Sequence, residues 1–192
     1  HDCNCQWLGH ACFKIIADYE SLIIDPYADG SVRGLDNLRS EANVVLVSHL
    51  HGDHNAVGNI KLVPLVRDEF EVERIESYHD DRKGALRGPN TIHLITSEGY
   101  RLAHLGDLGC ELTAQQIEKL QDLDVLMIPV GGIFTVDGKT AWEITKRIAP
   151  KTVVPMHFSV PELTFRLEPV KRFLDAAEAD PAPIAIEVPT RA

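Results

Sequence analysis

The run Val44-Val45-Leu46-Val47-Ser48-His49-Leu50-His51-Gly52-Asp53-His54 is the most informative segment of this 192-residue chain. Its first part is a short stretch of valine and leucine, with the length and composition of a strand buried on both faces. Its second part places His49, His51, Asp53 and His54 on the loop that follows. Neutral imidazole nitrogen and carboxylate oxygen are donors that suit zinc, iron or manganese. The spacing lets His49 and His51 point to one side while Asp53 and His54 turn to a neighbouring point. One loop can then feed two metal positions, provided that distant residues complete each shell. A solvated histidine-rich loop is the alternative, but crowding so many titratable groups together without a cation costs free energy.

Outward from that loop, short apolar runs alternate with helical segments. Residues 11–16 and 21–24 read as two strands joined by a turn at 18–20. Residues 70–75 alternate in part and suggest another strand, and 91–96 with 100–105 flank the hairpin signal Ser97-Glu98-Gly99. Thr113 with Gln116 forms a capping box for a helix over 114–120, and Thr140 with Glu143 predicts a second one, for a helix running to about Ile148. Residues 125–130 read as a buried strand ending at Gly131-Gly132, 152–155 and 184–188 as strands, and 170–177 as a helix. Each half therefore runs from strands through a buried strand and a polar loop into a helix. That pattern predicts a layered α/β sandwich with sheets inside and helices outside.

Composition sets the outer bounds. Hydrophobic residues make up 44% and charged residues 25%, a globular balance that excludes disorder. No uncharged apolar run is long enough to span a membrane. The length suits one domain over residues 1–192, with no linker to divide it. The 19 basic and 29 acidic residues leave a formal charge of −10, which counts against a sequence-independent grip on nucleic acid. Cys3, Cys5, Cys12 and Cys110 do not read as a disulfide framework, since Cys3 and Cys5 are too close to staple a useful loop. Reduced thiols in a cytoplasmic protein are expected. No basic stretch leading into an apolar core follows His1, which is assigned no role.

The pattern His49-x-His51-x-Asp53-His54 after a buried strand resembles the signature of the metallo-β-lactamase fold superfamily, and the resemblance covers almost the whole chain. Trp7-Leu8-Gly9-His10-Ala11-Cys12-Phe13 resembles the opening strand of a small metal-dependent hydrolase branch, one similar to the lactonase acting on ascorbate 6-phosphate. Asp25-Pro26-Tyr27, Ser77-Tyr78-His79-Asp80 and Leu105-Gly106-Asp107-Leu108-Gly109 resemble its next motifs in order. Pro129-Val130-Gly131-Gly132 and Val154-Pro155-Met156-His157-Phe158 resemble the last two. The resemblance implies a four-layer αββα sandwich of two mixed sheets. It also implies that His49, His51 and His79 hold one metal, that Asp53, His54 and His157 hold a second, and that Asp107 bridges them. The ions would be two divalent cations, zinc first, with manganese or iron as alternatives. Two departures stand out: Ala11 where a serine is expected, and Cys110 where histidine is common. Cys110 reads as a lost pocket contact, a soft ligand or a small core residue, the last being preferred.

Other residues carry open readings. His10 could donate to a substrate or to a ligand carboxylate, or it could pack as a structural histidine. His104 reads as support for the site or as packing, and His93, alternating with Ile92 and Leu94, as an exposed strand position. Asp80 and Asp25 could each orient a ligand imidazole, because metal-bound histidines donate their other nitrogen to an acceptor. For Asp25 a plain turn carboxylate competes. Trp7 and Trp142 read as core aromatics. Gly131-Gly132 reads as a close approach to substrate or a tight turn, and Ser48 lacks a nucleophile-elbow context.

The implied chemistry is hydrolysis by a metal-activated hydroxide, with Asp53, Asp107 and His10 as the catalytic candidates. Ester, lactone, amide and phosphoester bonds all fit. The expected partner is a small polar substrate, anionic ones included, since two divalent ions would move the formal charge from −10 to about −6. Nucleic acid and membrane are not expected, and the oligomeric state is left open. A non-catalytic metal-binding protein and a nuclease or phosphodiesterase are the alternative readings.

Overall fold

The structure is a computed structural model and describes residues 4–29, 31–32, 37–159 and 167–190. His1 and Cys3 lie outside the described residues. In chain order the first strands are β1 (Asn4–Gly9), β2 (Cys12–Ile16), β3 (Ser21–Ile24), β4 (Ser40–Ala42), β5 (Val44–Leu46) and β6 (Ile60–Leu62). The second half contains β7 (Glu71–Tyr78), β8 (Pro89–Ser97), β9 (Tyr100–His104), α1 (Ala114–Lys119), β10 (Val125–Pro129) and α2 (Gly138–Ile148). It ends with β11 (Thr152–Met156), α3 (Lys171–Ala179) and β12 (Ala185–Ile186).

Two mixed sheets face each other. One has the order β1-β2-β3-β5, antiparallel except for the parallel pair β3 and β5. The other has the order β12-β11-β10-β9-β8-β7, parallel from β12 to β9 and antiparallel beyond. Strand alternation explains how the first sheet is covered. Phe13, Ile15, Leu22 and Ile24 enter the main core between the sheets, whereas Cys12 and Ile23 point the other way into a second core with Tyr27, Val32, Leu38, Ala42 and Ile60. Among the described residues, that outer face is covered by loops and the small β4–β6 pair, and the α-helices belong to the six-stranded side. The expected α/β sandwich of two mixed sheets is therefore present, with the helices, among the described residues, on its six-stranded side.

β10 is buried along its whole length, as its unbroken apolar run requires of a central parallel strand. α2 buries Ala141, Trp142, Ile144, Thr145 and Ile148, a helical stripe that lies over it. Trp142 meets Phe173 of α3 edge-to-face at 5.8 Å and donates its indole N–H to the Asp180 carbonyl at 2.8 Å. Burying each of these rings contributes about 2–3 kcal/mol. The hairpin read at Ser97-Glu98-Gly99 exists, with Glu98 and Gly99 both at positive φ in the tight turn between β8 and β9.

Several expectations are corrected. Residues 7–13 form not one opening strand but the two arms of a hairpin, with His10 at its turn at φ 53°. The helix expected to open on Thr140 and Glu143 starts earlier. Asp137 caps it by accepting from the Thr140 amide at 2.8 Å, so Thr140 is the third helical residue. The strand read over 44–47 ends at Leu46, and Val44 and Val45 are only half-buried because β5 lies at a sheet edge. The Thr113–Gln116 capping box forms as read.

Topology puts the chemistry at one end. β7 and β9 are both antiparallel to β8, so the ends of β7, β9, β10 and β11 all lie along the same edge of the larger sheet. His79, Asp107 and His157 follow three of those ends, and the His49 loop follows β5 of the facing sheet.

Candidate metal centre

Every sequence-predicted ligand arrives at that edge. The donor atoms of His49, His51 and His79 lie within 4.8 Å of one another, and so do those of His10, Asp53, His54 and His157. Asp107 sits between the two groups. Its Oδ2 is 3.0 Å from His79 Nε2, 3.1 Å from His54 Nε2 and 3.3 Å from both His49 Nε2 and His157 Nε2. His51 is exposed at the cleft and the other imidazoles are buried.

The loop residues around the ligands fix which nitrogen faces the centre. Asp25, fully buried after β3, accepts from the Ser48 amide at 2.7 Å, from Ser48 Oγ at 2.5 Å and from His54 Nδ1 at 2.7 Å. Ser48 Oγ in turn accepts from His49 Nδ1 at 2.8 Å. Both histidines therefore donate from Nδ1 and turn Nε2 towards Asp107. Asp25 thus fixes the orientation of the His54 imidazole. Asp80 does not orient His79. It accepts the backbone amides of Arg82, Gly84, Leu86 and Arg87 at 2.7–2.9 Å and so organises the loop beyond.

One supporting residue carried no sequence signal. Asn90, fully buried, accepts the Asp107 amide at 2.9 Å and donates to the Leu105 carbonyl and to Ser77 Oγ, fixing the backbone that presents the Asp107 carboxylate. Gly106 makes room for that arrangement: at φ 59° a Cβ would overlap Asn90 Oδ1 and sit 2.5 Å from Ser48 Cβ. Ser48 was read only as lacking a nucleophile-elbow context; its hydroxyl is a relay between Asp25 and His49.

His10 Nε2 pairs with Asp53 Oδ2 at 2.9 Å, and its ring lies 4.0 Å from that of His157. His104 is structural, linking Ala11 O at 2.8 Å and the Gly106 amide at 3.1 Å. His93 is buried rather than exposed, because β8 is covered on both faces. Cys110 packs half-buried against the main core, and Trp7 and Trp142 are core aromatics. Gly131 is a close approach within the protein itself, since a Cβ there would overlap the His157 carbonyl.

Electrostatics favour a cation. Burial opposes ionisation of Asp107, yet the imidazoles of His157 and His54 outweigh it and hold the carboxyl well below the usual carboxylate range. Burial also opposes charge on His54, but Asp107 and Asp25 at its two nitrogens push its pKa well above the ordinary histidine value. Carboxylates that favour a proton on Nε2 favour a metal ion in its place. Burial, with His157 beside it, lowers the pKa of His10 to about 4 despite the Asp53 contact.

The residues fit a bound divalent metal by a direct criterion. His49 Nε2, His54 Nε2, His79 Nε2, His157 Nε2 and Asp107 Oδ1 are buried with no hydrogen-bond partner. Leaving convergent lone pairs bare costs free energy that coordination recovers. The centre opens into a cleft of about 520 Å³, whose further walls include Ser31, Arg87 and Phe134.

Comparison with known proteins agrees with this geometry. Residues 4–157 match the family described as "Beta-lactamase superfamily domain". The chain is 29% identical over 202 residues to a UPF0173 metal-dependent hydrolase of Methanoculleus marisnigri, covering 88% of this chain and 87% of that one. A UPF0173 metal-dependent hydrolase of Hyperthermus butylicus is 24% identical, over 91% and 92% of the two chains. A crystal structure from Thermotoga maritima, named as a candidate zinc-dependent hydrolase of the metallo-β-lactamase superfamily, superposes with a TM-score of 0.78 at 26% identity, covering 100% of both chains.

Proposed function

Since the chain belongs to the β-lactamase superfamily domain family, we propose that it is a metal-dependent hydrolase acting on an ester, lactone, amide or phosphoester bond of a small polar metabolite. The relatives named as metal-dependent hydrolases support the reaction class. The observation that carries the reading is the ring of imidazole Nε2 atoms 3.0–3.3 Å around Asp107 Oδ2. His49, His51 and His79 would hold one divalent ion, and Asp53, His54 and His157 a second, with Asp107 between the two groups. Zinc suits this donor set, and manganese or iron are the alternatives.

Bound divalent cations supply Lewis acidity and bring the ionisation of water close to neutral pH. The protein's own residues supply orientation. Asp53 is part-exposed at the cleft, and His10 and His54 outweigh the effect of burial and keep it ionised. It can therefore accept a hydrogen bond from the attacking water and orient it. His10, buried and engaged with Asp53, is a positioning residue, with no free N–H directed at a leaving group from Nε2.

Elemental analysis with a hydrolysis screen over sugar lactones, phosphodiesters and β-lactams tests the reading. Turnover that disappears on chelation and returns with metal is expected. Metal-replete protein inert on every class would overturn the enzyme reading in favour of a non-catalytic metal site.

A further inference from the structure

The loop from Asp80 to Gly88 does more than connect two strands. Asp80, buried at its base, gathers the amides of Arg82, Gly84, Leu86 and Arg87. Gly84 and Gly88 take positive φ, at 86° and 85°, and the Gly88 amide bonds to the Gly84 carbonyl at 3.0 Å. A carboxylate taking four amides fixes the backbone of a loop that would otherwise be mobile. The side chain delivered by that fixed backbone is Arg87, which lines the metal cleft.

Arg87 is half-buried there, and among the described residues no carboxylate pairs with its guanidinium. Its guanidinium carbon instead lies 5.6 Å from the centroid of Phe134, which lines the same cleft and is 39% exposed. The acidic residues of the cleft, Asp53 and Asp107, are committed to histidines. In a chain of formal charge −10, an Arg held at a cleft without an acidic partner is a cation kept for something else. A guanidinium fork matches the geometry of carboxylate and phosphate oxygens, and the adjacent aromatic face accepts a flat apolar group.

We propose that Arg87 is the anion-binding, specificity-determining residue of this cleft. Its ligand is a small organic anion, with a carboxylate or phosphate on Arg87 and a planar or apolar portion against Phe134. The proposal rests on the hydrolase reading only in calling that ligand a substrate; the binding site stands on the cleft geometry.

Calorimetric titration of the metal-loaded protein with phenylphosphonate, methylphosphonate and benzoate tests it without any need for turnover. The wild type binds phenylphosphonate or benzoate, and Arg87→Gln weakens that binding about tenfold or more, the loss expected for a charge-assisted hydrogen bond. Arg87→Lys recovers part of the loss. The substitution keeps the amide that Asp80 accepts, so Arg87→Gln is expected to fold normally and to match the wild type in metal content and melting temperature. Phenylphosphonate binds more tightly than methylphosphonate, and equal affinity for the two would overturn the role given to Phe134. Unchanged affinity in Arg87→Gln, or no binding of either aromatic anion by the wild type, overturns the proposal. Anion binding lost in Arg87→Gln in a protein that hydrolyses nothing would leave the site standing and sink only the hydrolase reading. Turnover with binding indifferent to Arg87 would do the reverse.

Discussion

Nδ1 of His54 donates to Oδ2 of Asp25 at 2.7 Å, with both side chains fully buried and 29 residues apart in sequence. This contact aims His54 Nε2 at Asp107, and Asp25 reaches a second imidazole, that of His49, through Ser48. One carboxylate therefore sets two imidazoles. Asp25→Asn keeps the shape but not the charge, and is expected to weaken metal binding by about 10–100-fold. Competition against a chromophoric chelator measures the change. Affinity equal to the wild type would remove Asp25 from the support of the site.

Gly131 closes the other side of the centre. A Cβ at this position overlaps the carbonyl oxygen of His157, and His157 itself sits at φ 56°. Gly131→Ala must push the His157 backbone away, at a cost of about 1–3 kcal/mol. A lower melting temperature together with reduced metal content is expected. A stable, fully metallated variant would show that the strand end is more compliant than the packing indicates.

Acid should destabilise the fold through His93. Burial on β8, with the imidazole of His104 beside it and Arg74 on β7, lowers its pKa to about 4, with Asp25 acting in the opposite direction. The folded state therefore prefers neutral His93. Its contribution is complete above the unfolded pKa of about 6.5 and is lost as pH falls through about 4, amounting to about 3 kcal/mol. Urea titrations between those limits should show a shallower loss in His93→Leu than in the wild type. Equal slopes would place the acid sensitivity elsewhere.

The Asp80 loop should loosen in Asp80→Ala. Burial opposes the charge on Asp80, but the amides of Arg87, Arg82, Gly84 and Leu86 bring its pKa down to about 2. Removing the acceptor frees those amides, and their hydrogen exchange should accelerate at least about tenfold. Unchanged protection would mean that the glycine turns alone hold the loop.

The two strongest local signals were both legible in sequence. The Val44-to-His54 run announces a strand feeding a donor-rich loop, and Ser97-Glu98-Gly99 announces a hairpin. Where reading failed, the cause was an environment that neighbours in sequence do not report. His93 alternates with apolar residues like a surface position, yet β8 is an inner strand covered on both faces. Asp80 follows His79 directly and reads as a partner for its ring, while the fold turns its carboxylate onto the amides of the next loop. Asn90 acts through Asp107, a partner 17 residues away, and no spacing rule reaches it. Asp137, of a residue type favoured at helix N-caps, caps α2 three residues before the Thr140 read from the sequence.

The central claim is that Asp107 joins two metal positions. Elemental analysis of purified wild type and Asp107→Ala, after equilibration with the same zinc buffer, tests it most directly. The account predicts about two divalent ions per chain in the wild type and a clear loss in the variant. An unaltered metal complement in Asp107→Ala, or a wild type that binds none, would contradict it.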